Sequence, residues 1–475
     1  MLYDVNFLRE GAQFPPRSEI KRLDAYRVNS MLLEDEPWAA LPEYKNRVIS
    51  ILMNFALSSE AVYLYSSNYW GDLVEKTKEL IYGTPPEFTG AEGEPIDKEI
   101  FSSTDFLEKV KEGCADFVAL GDWVTKVIEN DNGKTFINVD PSTWFPVSSR
   151  ENVKTVKAHV LAWIAEVGKN KYELHAQIHE KGKYTNKAFA VTNYLPNAEY
   201  TDSYTRQKIK HPTYEIGREL KESKTDFVLG EFQTGLDDFA VIVSANNPGT
   251  RRVCGASDFD KITDAQMEYN VRMTLKNVVL DKHSAPKMYG PPFKGDDGTV
   301  LGNYLEVPTG ATAPNYLTWD ASMQAVLSTI NELKDDISNL SGMGSLLNSK
   351  TFGESQGYDA LMIKLAPALM RSAGKKETLG RHLKRLISAL SSSYGPSLSE
   401  KDVFVIWHDG IPTTESVRAD IARKHLDTGW SVFDVLTKDY GWTEEAALNA
   451  IEQKRAEAPA MPMFGLTGNE GGDIV

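Results

Sequence analysis

The chain has 475 residues, 41% of them hydrophobic and 25% charged, which is the balance of a folded protein with two or three domain-sized units and excludes wholesale disorder. Its net charge is −15, from 67 acidic and 52 basic residues. A protein that grips nucleic acid through its phosphates is basic, so tight DNA binding is not expected, while simple solubility, or duplex sliding past without sticking, suits this charge.

The two cysteines, Cys114 and Cys254, give neither a disulfide framework nor a Cys-rich zinc pattern and fit synthesis in a reducing compartment. Acidic Asp4 stands where a secretory signal has its basic region, so no signal peptide is expected. The most apolar stretch, Val48 to Tyr65, is broken by Ser50, Asn54, Ser58, Ser59 and Glu60. It falls short of a membrane span and predicts a buried helix.

Residues 1–40, with Pro15, Pro16 and Pro37 among scattered charges, predict an irregular arm. A helical pattern runs from Glu43 to about Tyr69, then a loop through Pro85, Pro86, Gly90, Gly93 and Pro95. Phe106, Leu107, Val110, Cys114, Phe117 and Val118 recur at three- and four-residue steps, predicting a helix from Asp105 to Leu120. Val124–Ile128 and Phe136–Val139 flank Asn132-Gly133, a strong hairpin signal. Residues 156–243 predict antiparallel strands, with turns at Gly168-Lys169-Asn170 and Lys181-Gly182-Lys183; Tyr172, Leu174, Ala176 and Ile178 alternate with polar residues.

Ser257-Asp258-Phe259-Asp260 has the shape of a capping box and is expected to open a long helix ending near Lys282. A Pro- and Gly-rich module follows at 284–318. Met323, Val326, Ile330, Leu333, Ile337 and Leu340 step by 3, 4, 3, 4, 3, a narrow seam for helix packing on a second long helix that begins near Asp320. Gly342-Met343-Gly344 stops it. A third long helix is predicted from Asp359 to Leu390, kinked at Pro367. A short strand at 403–407, helices at 414–427, 431–438 and 443–457, and a Pro/Gly-containing tail complete the chain.

Several catalytic patterns are incomplete. Gly133-Lys134-Thr135 resembles the end of a phosphate-binding loop, but Ile128 occupies the place of its first glycine, so a hairpin turn is the better reading. His175 and His179 have the spacing of a zincin pair, but Ala176 replaces the glutamate and the segment predicts a strand. His408-Asp409-Gly410 reads as a turn. A catalytic carboxylate pair is not excluded by an acidic sequence. The basic run Arg371, Lys375, Lys376, Arg381, Lys384 and Arg385 suits a solvated or intersubunit face better than a phosphate contact.

Four segments in order resemble the portal family of long-tailed bacteriophages. The first is Leu120-Gly121-Asp122-Trp123 leading to Val139-Asp140-Pro141-Ser142-Thr143-Trp144-Phe145-Pro146-Val147. The second is Gly255-Ala256-Ser257-Asp258-Phe259 with Tyr269-Asn270 and Lys282-His283-Ser284-Ala285-Pro286-Lys287. The third is Phe352-Gly353-Glu354-Ser355-Gln356-Gly357-Tyr358-Asp359-Ala360-Leu361 with Leu365-Ala366-Pro367-Ala368-Leu369. The last is Gly429-Trp430-Ser431 before a helical end. The set spans roughly residues 100–457. It departs at Gln356-Gly357-Tyr358, where many relatives have Ser-Gly and then an aliphatic or small residue.

The resemblance implies an α+β, ring-forming subunit, a dodecamer in the virion. It implies an N-terminal arm (1–40), a wing (41–256), a first stem helix (257–283), a small α/β clip (284–319) and a second stem helix (320–341). A tunnel loop (342–357), a long kinked helix returning to the wing (358–410), a helical crown (411–457) and a flexible tail (458–475) follow.

It implies a non-enzymatic channel at one capsid vertex, made in the host cytoplasm, with no cofactor and no membrane. Double-stranded DNA passes non-specifically. The partners implied are the terminase large subunit, a head-completion adaptor, and scaffold or major capsid protein. In the tunnel loop, Gly342, Gly344, Leu346, Leu347, Asn348, Lys350, Gly353 and Gly357 fit a gate or a passive connector. Glu332, Asp335 and Asp336 are candidates to face the channel and repel DNA, or to solvate an outer face. Lys287, Tyr289, Pro291, Pro292, Phe293 and Tyr304 are candidates for motor docking at the clip. Two other readings remain open: a minor head component, and a hydrolase using a carboxylate pair in the β-rich part.

Overall fold

The computed structural model describes residues 2–54, 63–131, 133–201, 208–284, 288–290, 304–306, 315–316, 323–347, 358–408, 415–440, 442 and 444–457. The chain forms two compact units, Met1–Gly410 and Ile411–Val475. The class is α+β: helices sit beside sheets whose strands pair almost entirely antiparallel.

The first forty residues are not an irregular arm. A short strand β1 (Gln13–Phe14) precedes helix α1 (Ile20–Leu33), then a turn of helix, α2 (Pro37–Ala40). Helix α1 buries Ile20, Leu23, Tyr26, Asn29 and Leu32, a stripe in steps of three. Leu23 and Tyr26 share an apolar cluster with Phe145, Val160, Leu174, Phe189 and Ile216, so this segment covers one face of the large sheet.

Helix α3 (Pro42–Asn54) is shorter than the Glu43–Tyr69 pattern predicts, and residues 63–68 are not helical. Tyr69 instead opens helix α4 (Tyr69–Tyr82), where Asn68 accepts a hydrogen bond from the Gly71 N–H and Trp70, Leu73, Val74, Thr77, Leu80 and Ile81 are buried. Strand β2 (Glu87–Thr89) and short helix α5 (Lys98–Ser102) lead to α6 (Phe106–Ala119), which follows its predicted periodicity. The predicted hairpin is β3 (Asp122–Asn130) and β4 (Gly133–Val139), in register from Val124↔Val139 to Asn130↔Gly133.

The large sheet holds β5 (Trp144–Ser148), β6 (Val156–Gly168), β7 (Lys171–Glu180), β8 (Lys183–Thr201) and β9 (Lys208–Glu219) in the order β1-β9-β8-β7-β6-β5, with β10 (Gly230–Gln233) paired to β8. Both expected turns are present; Asn170 and Gly182 adopt φ of 57° and 76°, the left-handed conformation that such residues tolerate. Strand β11 (Val241–Ala245) joins β3 in a second, three-stranded sheet.

The first long helix, α7 (Thr263–Ser284), begins six residues later than the capping-box pattern suggests, after a short 3-10 turn at Phe259–Lys261. The proposed box is absent. Ser257 Oγ donates to the Ala119 carbonyl and accepts from the Phe259 N–H, while Asp258 is drawn into ion pairs. In the following module the described strands are β12 (Met288–Gly290), β13 (Tyr304–Glu306) and β14 (Asn315–Tyr316). Strand β12 pairs parallel with β13 and antiparallel with β14.

Helix α8 (Met323–Ser341) stops at Gly342, whose φ is +67°, as a left-handed C-terminal glycine should. One turn of helix, α9 (Gly344–Leu347), follows. Helix α10 (Tyr358–Ser391) runs through Pro367 for 34 residues and buries Leu379, Leu383, Leu386, Ile387 and Leu390 in the main core with α4 and α6. Strand β15 (Phe404–Ile406) pairs with β2. The second unit holds α11 (Glu415–Asp427), α12 (Val432–Asp434) continuing as a π-turn to Asp439, and α13 (Glu444–Glu457), close to the three helices predicted. Among the described residues, no helix is long and apolar enough to cross a membrane.

Candidate functional site

Helices α7 and α8 pack side by side. Tyr269, near the start of α7, clusters with Ile330, Leu333 and Ile337 in the middle and second half of α8, with Ala265 and Met273 alongside. The start of one helix against the end of the other makes the pair antiparallel, with the β12–β14 module at its turn.

At the base of this pair, two of the segments that carry the family resemblance meet, Leu120–Trp123 and Gly255–Phe259, and α10 joins them through Arg371 and Lys375, just beyond the third. Gly121 (φ +96°) and Gly255 are so close that a Cβ on Gly255 would lie 1.9 Å from the Gly121 carbonyl oxygen. The contact is stitched by the Asn246 N–H to the Gly121 carbonyl at 2.7 Å, the Gly255 N–H to Asp122 Oδ1 at 2.9 Å and the Asp258 N–H to the Val118 carbonyl at 3.0 Å. Asp122 also accepts from the buried Tyr26 hydroxyl of α1.

Asp258 is fully buried and carries two cations of α10: Arg371 Nη2 lies 2.8 Å from Oδ1 and Lys375 Nζ 2.8 Å from Oδ2. Asn246 and Asn247 donate to Oδ1, and Lys375 donates to Asn246 Oδ1 at 2.6 Å. Burial pushes the Asp258 carboxyl up, but the facing Lys375 and Arg371 outweigh it and hold it below the usual carboxylate range. Arg371 also donates to the Ser341 carbonyl at the end of α8. One guanidinium therefore joins the segment leading into α7, the end of α8 and the body of α10.

This corrects the reading of the basic run as a solvated or intersubunit face. Lys375 and Lys376 are buried and Arg371 half-buried. Lys376 donates to the His408 carbonyl. Lys384 is half-buried, and only Arg381 and Arg385 of the run are exposed, Arg385 facing Glu400 at 3.4 Å.

Glu332, Asp335 and Asp336 all lie exposed on α8, Glu332 accepting from Ser328. The seam of α8 is only half used: Ile330 and Ile337 are buried, while Val326 and Leu340 are 39% and 48% exposed, as is Leu327 beside the seam at 39%. In the loop after α8, Gly342 approaches Arg371 and Met343 is buried. Gly344 opens α9, and Leu346 and Leu347 pack against the main core. Asn348, Lys350, Gly353 and Gly357 lie outside the described residues. So do Lys287, Pro291, Pro292 and Phe293 of the clip; Tyr289 stands on β12 opposite Leu305, and Tyr304 on β13 opposite Met288.

A second cluster has the composition of a catalytic triad. Ser223 Oγ is 2.8 Å from Glu173 Oε2 and 3.2 Å from His175 Nε2, and the same Glu173 oxygen is 3.3 Å from that nitrogen. Carboxylate and hydroxyl compete for one imidazole nitrogen, whereas a proton relay needs them on opposite nitrogens. The cluster ties the 220–227 loop to β7, with His175 stacked on Phe227 at 4.5 Å. His179 lies four residues on along the same strand, about 13 Å at strand rise, too far to share a metal with His175. Among the described residues no group of three or more His, Cys, Asp or Glu side chains is placed to hold one.

No protein-family model matches this chain, and no curated protein matches it as a relative.

Proposed function

We propose that this chain is a bacteriophage portal subunit. Copies would close into a ring at one capsid vertex, through which DNA is packaged, retained and released. The observation that carries this reading is the meeting of the Gly121-Asp122, Gly255–Asp258 and α10 segments at the base of an antiparallel helix pair. The first two of these carry the resemblance, the α10 cations lie just beyond its third segment, and together they brace the two helices that would form the stem.

The rest of the reading follows from this stem. The β12–β14 module at its far end is the clip, where the terminase motor and later a head-completion adaptor dock. Scaffold or major capsid protein contacts the wing. The half-uncovered seam of α8 suits head-to-tail subunit contacts that close by rotation. Exposed Glu332, Asp335 and Asp336 suit a channel wall that repels phosphates so that duplex slides, and no chemistry is assigned to the chain itself. Negative-stain imaging of the purified protein, viewed down a symmetry axis, tests the proposal. Rings with a central hole wide enough for duplex DNA are expected; monomers or compact dimers across salt and concentration would end it.

A further inference from the structure

A cleft of about 700 Å³ runs between one face of α10 and the segment 399–407, lined by Lys376, Glu377, Gly380, Arg381, Lys384, Lys401, Val405 and Trp407 among others. Its volume is that of a ligand cleft, and two features distinguish it.

The first is an open strand edge. Strand β15 pairs with β2 through Val405↔Phe88. The Phe88 carbonyl accepts from the Ile96 N–H at 3.2 Å, on the side away from β15. In an antiparallel ladder, opposed residues either exchange both hydrogen bonds or turn both away. Phe88 and Val405 are therefore the second kind, and the Val405 N–H and C=O face the cleft. Neither has a hydrogen-bond partner there among the described residues, and the half-buried Trp407 indole N–H beside them also lacks one.

The second is charge. Arg381 and Lys401 are exposed with no acidic partner among the described residues, and Lys384 sits 5.0 Å over the Phe404 ring. Glu400 is engaged by Arg385, which leaves Glu377 as the opposing acid of the lining. On a chain of net charge −15 this is a locally cationic groove.

We propose that this groove docks an extended acidic peptide segment of a partner protein by strand addition to β15. The backbone of the segment bonds Val405, and its carboxylates meet Arg381, Lys384 and Lys401. Main-chain bonds supply affinity and alternate side chains supply selectivity in this mode, while the cations add charge-assisted bonds and a salt-sensitive encounter rate. The inference goes beyond the portal reading and stands without it.

Fluorescence anisotropy on the full-length protein tests it. The probe is a short labelled peptide alternating Glu with Val. Comparison ligands are the same peptide N-methylated on alternate residues and a labelled oligo-dT of equal charge. The expected result is saturable binding to the unmodified peptide, weakened roughly ten-fold or more by Arg381→Glu or Lys401→Glu, and lost on N-methylation. Both positions are exposed, so each variant should melt like the parent. No binding, or equal binding of the N-methylated peptide, overturns strand addition. Tighter binding of oligo-dT overturns the acidic-peptide proposal in favour of a general polyanion surface.

Discussion

The body of the first unit and the α7–α8 pair solve the same packing problem to different degrees. In the body, α10 places Leu379, Leu383, Leu386, Ile387 and Leu390 at 0% exposure against α4 and α6. In the helix pair, α8 buries Ile330 and Ile337 but leaves Val326, Leu327 and Leu340 partly in water, and α7 leaves Leu280 at 47% exposure. That stretch of α10 is covered within one chain, whereas Ile363 and Met370 nearer its start are 75% and 76% exposed. The pair carries apolar surface of the kind that marks an interaction site, and the charge cluster at Asp258 is where the core region grips it.

The largest effect should come from breaking that grip. Asp258→Ala leaves Lys375 and Arg371 facing a buried void without a counter-charge, a loss of about 3–5 kcal/mol, read as a fall in the urea midpoint. Adding Lys375→Met should recover part of the loss, because the coupling belongs to the pair. The pH dependence has a definite sign. The folded carboxyl is held low, so its contribution is present above the unfolded value of about 3.9 and is lost as pH falls below it.

The contrast between the two regions can be measured directly. Leu383→Ala in the body should cost about 2–5 kcal/mol. Leu340→Ala in the pair should change monomer stability by less than about 0.5 kcal/mol. Val326→Asp with Leu340→Asp should leave the monomer melt nearly intact and, on the portal proposal, shift particle mass, by mass photometry, away from the proposed rings. Equal stability losses at Leu383 and Leu340 would erase the distinction.

Much of this was readable from local pattern. The α6 periodicity, the β3–β4 hairpin, the antiparallel stretch and the three C-terminal helices rest on neighbours in sequence. What was not readable depends on partners far along the chain. Helix α1 looks weak because its buried stripe includes Asn29 and is flanked by Arg22, whose guanidinium donates to the Pro141 and Trp144 carbonyls. Residues 63–68 continue the predicted helical stretch but are held out of helix, with the Tyr65 and Ser67 N–H groups bonded to Thr274 and Asn270 of α7. Asp258 has the local signature of a helix cap, and Arg371 and Lys375 that of a surface charge run. Only folding, which places α10 beside residues 246–258, turns the two patterns into one buried ion cluster.

A smaller effect separates the regions by pH. His179 is buried on β7, stacked on Tyr184, and neither ring nitrogen has a hydrogen-bond partner among the described residues. Burial first, then the charges of Lys126 and His159, push it down to about 3. Its contribution is complete above the unfolded value of about 6.5 and is lost as pH falls from there towards 3, because the unfolded chain takes up the proton first. His179→Phe forfeits no hydrogen bond. It should be close to neutral near pH 7.5 and more stable than the parent by about 2 kcal/mol near pH 4.5, compared by urea midpoints.

The smallest test uses two helical glycines of the body. A Cβ on Gly374 of α10 meets nothing within 4 Å, whereas one on Gly113 of α6 would lie 1.9 Å from the Trp123 indole nitrogen. Gly374→Ala relieves only the backbone entropy of an exposed helical glycine and should stabilise by about 0.5–1 kcal/mol. Gly113→Ala must displace a fully buried indole whose N–H donates to Asn138, and should destabilise by about 1–3 kcal/mol through overpacking. Opposite signs from the same substitution, read in one set of thermal melts, would show that α10 has a solvent-facing side there while α6 is packed against β3 to the limit of one methyl group. If Gly374→Ala destabilised instead, the exposed face of α10 would already be in contact with another copy of the chain, and the body too would share in assembly.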